Sequence, residues 1–127
     1  MRFLYTIFLL IVSINCFSQR SFYKINEICD LDYDRENIEK GCYNVDEIQI
    51  TRDLNNKQFI FFQNGEKFKI PFTTISEDSR GIGYYYYDIL VLGLRFKTGT
   101  RIPYALTIID QKNNTARRYV IKSWKPE

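Results

Sequence analysis

From residue 45 onward, apolar and polar residues alternate in short runs that are separated by turn residues. This pattern is typical of antiparallel strands. The runs predict a strand over each of the residue ranges 45–52, 57–63, 66–72, 84–96, 102–109 and 115–124. We therefore expect a mostly β fold: a small antiparallel meander of about six strands, forming a sandwich or a partly closed barrel.

The second and third runs flank Asn64-Gly65, whose residues both accept the positive φ of a type I′ hairpin turn. A two-residue loop fixes the register across the hairpin, so that one face is apolar and the other sets lysines against apolar residues. The expected pairs are Phe59 with Ile70 and Phe61 with Phe68 on the first face, and Ile60 with Lys69 and Phe62 with Lys67 on the second.

The later runs are less regular. Residues 84–96 lack a clean alternation, which predicts one central strand buried on both faces, with Gly93 at a bulge. Residues 73–83 are expected to form the one long loop. Asn113-Asn114 predicts a turn between the last two strands, which sets Leu106 against Ile121, Ile108 against Tyr119 and Asp110 against Arg117.

Residues 19–44 are expected to be irregular, with a short helix over residues 35–40. Asp34 is a good N-cap and Gly41 a good helix stop. We expect this segment to lie across one end of the sheet, held by a disulfide.

The first residues have the pattern of a cleavable signal peptide. Arg2 precedes an apolar stretch over residues 3–14, which is shorter than the about 20 residues of a membrane-spanning helix. Small residues at Cys16 and Ser18 favour cleavage before Gln19, leaving residues 19–127 as a single domain with no stable membrane insertion. Lipid attachment at Cys16 is the alternative, and the bulky polar Asn15 before it argues against that.

Cleavage leaves Cys29 and Cys42 as an even pair in a secreted or periplasmic chain. A disulfide is then expected, and it stabilises the fold by about 3 kcal/mol in the chain-entropy model. A redox-active pair would need C-x-x-C spacing, which is absent.

The composition points away from catalysis. The chain has no histidine, and so lacks the commonest general base and metal ligand. Asp30, Asp32, Asp34 and Glu36 alternate in a way that suggests calcium, but Arg35 and Gly41 occupy positions where an EF-hand needs glycine and glutamate. An irregular calcium site and a pair of catalytic carboxylates both stay open, but we expect no metal, no cofactor and no enzymatic activity.

The charge is polarised along the chain. Residues 27–53 carry nine acidic and three basic residues, whereas residues 95–125 carry eight basic residues and one acidic residue. The basic C-terminal strand favours an acidic protein partner or an anionic envelope surface over nucleic acid, which an exported protein seldom meets. A plain solvated edge is the alternative without a function, and is favoured over both.

We therefore expect a non-catalytic binding protein that engages a protein partner, as an inhibitor or immunity protein does. The alternative is a small-ligand carrier in which residues 59–62 and 84–87 line the cavity of a β-barrel. The candidate contact residues are Tyr84, Tyr85, Tyr86, Tyr87, Phe62, Lys67, Lys69, Arg118, Lys122 and Trp124.

Overall fold

The computed structural model describes residues 20–35, 38–78 and 82–126, and all the regular structure in these ranges is β. The predicted signal peptide, its cleavage point and Cys16 lie outside the described residues. The strands are β1 (Arg20–Leu31), β2 (Glu39–Asp53), β3 (Gln58–Gln63), β4 (Glu66–Pro71), β5 (Thr74–Glu77), β6 (Gly83–Tyr87), β7 (Leu90–Phe96), β8 (Pro103–Asp110) and β9 (Thr115–Pro126). The described ranges contain no helix that is long and apolar enough to cross a membrane.

The nine strands form one antiparallel sheet in the order β4-β3-β2-β1-β9-β8-β7-β6-β5. Each strand pairs with its sequence neighbour except at the β4–β5 link, and the first and last strands pair with each other at the centre. The sheet curls into a half-barrel, so that β3 near one edge contacts β6 near the other.

The two edges of the sheet meet where β4 runs into β5. The Phe72 N–H donates to the Lys57 carbonyl on the β3 side, and the Thr73 N–H donates to the Tyr86 carbonyl on β6, both at 2.9 Å. The rings of Phe59, Phe72 and Tyr85 contact one another at this point, with centroids 4.9 to 5.7 Å apart. These ring contacts join the two edges of the curled sheet on its inner face.

The sheet buries side chains on both faces. The inner face carries the main core, made of Tyr23, Ile25, Ile28, Ile48, Ile50, Phe59, Phe61, Phe72, Tyr85, Leu92, Leu94 and Leu106. A smaller cluster on the outer face consists of Cys29, Leu31, Val91, Ile109 and Ala116.

The prediction of an irregular, partly helical N-terminal segment is wrong. Residues 20–31 form β1, which lies beside the middle strand β9, and a register shift between Ile25 and Glu27 breaks the alternation by which a strand is recognised. Instead of a helix, the Asp32 carboxylate accepts the N–H groups of Asp34 and Arg35 in a tight turn, and β2 already begins at Glu39. Residues 36 and 37 lie outside the described ranges.

The predicted number of strands is too low for three reasons, of which the first is the missed strand β1. Residues 84–96 do not form one strand: a turn at Asp88, with φ of 51°, divides them into β6 and β7. The predicted loop over residues 73–83 contains β5, a short and fully exposed strand whose sequence has no apolar alternation.

The register of the Asn64-Gly65 hairpin is confirmed in all four predicted pairs. The register of the last hairpin is wrong by two residues, because Leu106 lies opposite Tyr119 and Asp110 opposite Thr115. The connection is a four-residue loop, not the two-residue turn expected at Asn113-Asn114. The Asp110 carboxylate accepts the N–H groups of Lys112 and Asn113, which widens the loop.

The disulfide between Cys29 and Cys42 is confirmed. The two residues are direct partners on β1 and β2, with Cα atoms 4.0 Å apart. The disulfide indicates an oxidising compartment, such as the periplasm or the outside of the cell.

Candidate functional site

The four consecutive tyrosines of β6 point alternately to the two faces of the sheet. Tyr85 points inward and is only 4% exposed, so a partner on the surface does not reach it. Tyr84 and Tyr86 lie together on the outer face, with ring centroids 6.4 Å apart, and the Tyr84 hydroxyl donates to the Asp78 carboxylate. Tyr87 is 41% exposed beside the turn. Alternation of side chains between the two faces is expected of any strand. The sequence did not show which of the four tyrosines would point inward.

A partly buried arginine that sequence reasoning missed holds Tyr85 in place. Arg52 lies on the inner face of β2, where its Nη1 donates to the Tyr85 hydroxyl at 2.8 Å and its Nη2 to the Ser21 hydroxyl at 3.2 Å. Burial also raises the pKa of the neighbouring Tyr23 hydroxyl. Tyr85 is therefore part of the hydrophobic core. Its ring packs against the Phe59 ring, so the two residues do not line a cavity between them.

The lysines of the β3–β4 hairpin form a surface at one edge of the sheet. Phe62, Lys67 and Lys69 share the outer face, and the Lys67 ammonium lies 5.4 Å from the centre of the Phe62 ring. On the inner side, Phe68 stacks on Phe61 with ring centroids 4.7 Å apart but is still 56% exposed, because β4 is the last strand on this side of the sheet in the described part of the chain.

Among the described residues, no strand pairs with the outer side of β4 at the same place, so its backbone has an unpaired edge there. The pair that flanks a two-residue turn is hydrogen-bonded, and the pairs alternate from there, so Lys67 and Lys69 direct their N–H and C=O groups away from β3. Thr73 is in the same row and does bond to β6. Pro71, between them, has no N–H. We refer to the backbone of β4 with Phe62, Lys67, Phe68 and Lys69 as the β4 edge.

The predicted contacts on β9 are not part of this surface. Three strands separate β9 from β4 in the sheet. Arg118 donates to Glu39 at 2.8 Å, and Arg117 lies 3.2 Å from Asp30, so the basic end of the chain is paired with the acidic end. Lys122 and Trp124 are exposed farther along the strand.

This pairing changes the meaning of the charge pattern. Two pairs of opposite charges from the two sequence segments, Asp30 with Arg117 and Glu39 with Arg118, meet across β1, β2 and β9. These four charges neutralise each other, so the lysines of the β4 edge are a better candidate than Arg118 for contact with an acidic partner.

The acidic segment offers little to a metal ion. Asp30 pairs with Arg117, and Asp32 accepts backbone N–H groups. Cys29, Glu39 and Cys42 are the one set of three potential metal ligands among the described residues, and the disulfide occupies both sulfur atoms.

No family model, curated protein or solved structure matches this chain. The arrangement of the described residues offers two surfaces for recognition. One is the β4 edge, with its unpaired backbone groups, and the other is a basic cleft at the opposite end of the half-barrel, described below.

Proposed function

We propose that the protein is an exported, non-catalytic binding protein that engages a protein partner in the cell envelope or outside the cell, as an inhibitor or immunity protein does. The observation that carries the proposal is the β4 edge, where unpaired backbone groups lie between an exposed aromatic side chain and two lysines. The Cys29–Cys42 disulfide supports the compartment.

An exposed strand edge binds an extended segment by adding it to the sheet. Backbone hydrogen bonds then supply affinity, and alternate side chains supply specificity. A segment added to β4 sets one face of its side chains beside Phe68 and Ile70, and the other beside Lys67 and Lys69. The partner segment that fits has apolar residues alternating with acidic ones.

The same edge disfavours pairing between two copies of this chain. Antiparallel pairing of two β4 strands brings lysines of one copy beside lysines of the other, and like charges across strands are destabilising. Pro71 also ends the run of backbone donors. The edge is therefore selective, since it repels a second copy and attracts an acidic strand.

Capture experiments with charge-reversed variants test this function. The mature chain, beginning at Gln19 with its disulfide intact, is immobilised and exposed to envelope proteins of its own cell. We expect one stoichiometric partner that is released by salt, and we expect the double variant Lys67→Glu/Lys69→Glu to weaken its binding by about tenfold or more. The matched control is Lys24→Glu/Lys112→Glu, which makes the same change in charge at exposed positions outside the β4 edge.

A synthetic peptide of alternating glutamate and valine provides a second, defined probe. We expect it to bind more tightly than a scrambled peptide of the same composition and than an alternating lysine and valine peptide. Recovery of the domain alone at low salt, or equal capture by wild type and the Lys67→Glu/Lys69→Glu variant, would refute the proposal.

A further inference from the structure

A cleft of about 770 Å³ opens at the end of the half-barrel that carries the β7–β8 loop. Its walls come from the last residues of β7, from the loop over residues 97–102, from the end of β5 and from Ile82. The β3–β4 turn is at the other end of the barrel, because strand directions alternate around the sheet. The cleft is therefore separate from the β4 edge.

The cleft is basic. Arg95, Lys97 and Arg101 line it, and Glu77 is the single acidic residue among the lining side chains. None of the three basic residues forms an ion pair with a carboxylate of the described residues. Within the described residues, these three charges therefore have no carboxylate at ion-pairing distance.

Arg95 lines the cleft at the end of β7. An arginine in such a position is suited to an oxyanion, because the guanidinium presents its N–H groups as a planar fork.

The loop that carries the other basic residues is braced by its own hydrogen bonds. The Lys97 N–H donates to the Ile102 carbonyl at 2.8 Å, and the Thr100 N–H donates to the Lys97 carbonyl at 2.9 Å. The Thr100 hydroxyl donates to the same carbonyl and accepts the Ile102 N–H, while Gly99 supplies the positive φ of the turn. The positive charges are thus held on a preorganised support, which lowers the entropic cost of binding.

The cleft also has an aromatic and apolar wall, formed by Ile82, Phe96 and Tyr104. The Tyr104 side chain lines the cleft and is 38% exposed. The volume lies within the range of sites for small organic molecules and exceeds what a bare inorganic ion needs.

We propose that this cleft binds a small organic oxyanion, in which a phosphate or sulfate group on a ring-shaped body meets Arg95, Lys97 and Arg101 while the ring packs against Tyr104. This site is independent of the proposed contact with a protein partner. It depends on the β7–β8 loop, and the partner contact depends on β4.

Calorimetric titration of the mature, oxidised chain at low ionic strength tests the site. The probes are phenyl phosphate, phenyl sulfate, inorganic phosphate and phenol. We expect saturable binding of phenyl phosphate or phenyl sulfate, tighter than that of inorganic phosphate, and none of phenol. The comparison of the two phenyl esters identifies which anion the cleft prefers.

Variants locate the binding within the protein. We expect Arg95→Gln to weaken binding of the better phenyl ester by about tenfold or more. Arg101→Gln, at an exposed loop position, should also weaken it, and it keeps the test informative if the Arg95 variant does not fold. Lys122→Gln, which removes one positive charge from β9, is the control and should bind as the wild type does.

Two results would overturn the proposal. One is the absence of saturable binding of both phenyl esters by the folded wild-type protein. The other is binding that Arg95→Gln and Arg101→Gln leave unchanged, since the ligand would then contact some other surface.

Discussion

Two aspartates organise two loops in the same way. Asp53 accepts hydrogen bonds from the backbone and side chain of Asn56, and Asp110 accepts the equivalent bonds from Asn113. In each loop the next residue, Lys57 or Asn114, has a positive φ of 51° or 53°. The spacing of the aspartate, the asparagine and the left-handed residue is identical, so the two loops share one design. They differ in burial, since Asp53 is 1% exposed and Asp110 lies at the surface.

Replacing each aspartate by alanine separates the contribution of burial. We predict that Asp53→Ala costs about 1 to 3 kcal/mol of unfolding free energy, because it removes a buried carboxylate together with its two hydrogen bonds from Asn56 and its ion pair with Arg20. Asp110→Ala, the matched control, should cost less, since water replaces the lost bonds. Urea unfolding of the two variants measures the difference, and equal losses would contradict the role of burial.

The dependence of stability on pH provides a second measurement at the same position. Burial tends to raise the pKa of Asp53, but the bonds from Asn56 and the nearby Arg20 outweigh it and lower the pKa below its ordinary value of 3.8. The carboxylate therefore stabilises the fold above pH 3.8, and this contribution is lost as the pH falls through the lower folded-state pKa. The loss should be smaller in Asp53→Asn.

Among the elements, the β3–β4 hairpin is specified almost entirely by its own residues. Asn64 and Gly65 both have the positive φ that a type I′ turn requires, with values of 52° and 78°. The alternation of apolar and charged residues then selects one register. Since the β4 edge belongs to this hairpin, its side chains were identifiable from the sequence, although nothing in the sequence showed that β4 lies at an edge.

Adding a methyl group to the turn glycine tests this local specification. We predict that Gly65→Ala destabilises the fold by about 1 to 2 kcal/mol, because an L-residue is strained in the left-handed region. Space is not the cause, since no atom lies within 4 Å of the added Cβ. Gly41→Ala is the control: it also adds a methyl group in open space, but without a positive φ, and should not destabilise. Thermal unfolding of both variants distinguishes strain from crowding.

At the scale of the whole molecule, the fold depends on contacts between the most distant parts of the chain. β1 and β9 pair along most of their length at the centre of the sheet, and Ser21 lies opposite Pro126. The two edges meet at Phe72 and Thr73, near the middle of the sequence. The two ends of the described chain therefore lie side by side. We expect the stability of the fold to depend strongly on the β4–β5 junction, where the two sheet edges are joined.

Circular permutation tests this arrangement. A short glycine-serine linker joins Pro126 to Arg20, and the chain is reopened either between Lys112 and Asn113 or between Phe72 and Thr73. We predict that the first permutant keeps cooperative unfolding, because its new ends lie in an exposed loop. The second should be less stable by about 3 kcal/mol or more, because it frees the buried Phe72 ring. Equal stability of the two permutants would show that the junction does not hold the edges together.

Local sequence patterns alone were sufficient to predict the β class of the fold, the β3–β4 hairpin and the disulfide. The alternation over β3 and β4 and the turn residues between them predicted the hairpin, and an even pair of cysteines predicted the disulfide. These features depend on neighbours in sequence or on simple counting, which is why one sequence was enough.

Where the prediction was wrong, a tertiary contact or a bulge overrode the local pattern. β1 was not predicted because the register shift after Ile25 breaks its alternation of apolar and polar residues. β5 was not predicted because its four residues are all exposed and form a strand only by pairing with β6. The candidate site shows the same division. Phe62, Lys67 and Lys69 were recognisable as a hairpin face, whereas the isolation of β4 and the gathering of Arg95, Lys97 and Arg101 around a cleft follow from how the sheet curls. Sequence by itself determined which residues alternate and where turns are easy. Only the tertiary structure decided which described strands lie at the edges of the sheet and which charged side chains form ion pairs. Both depend on contacts between residues that are far apart along the chain.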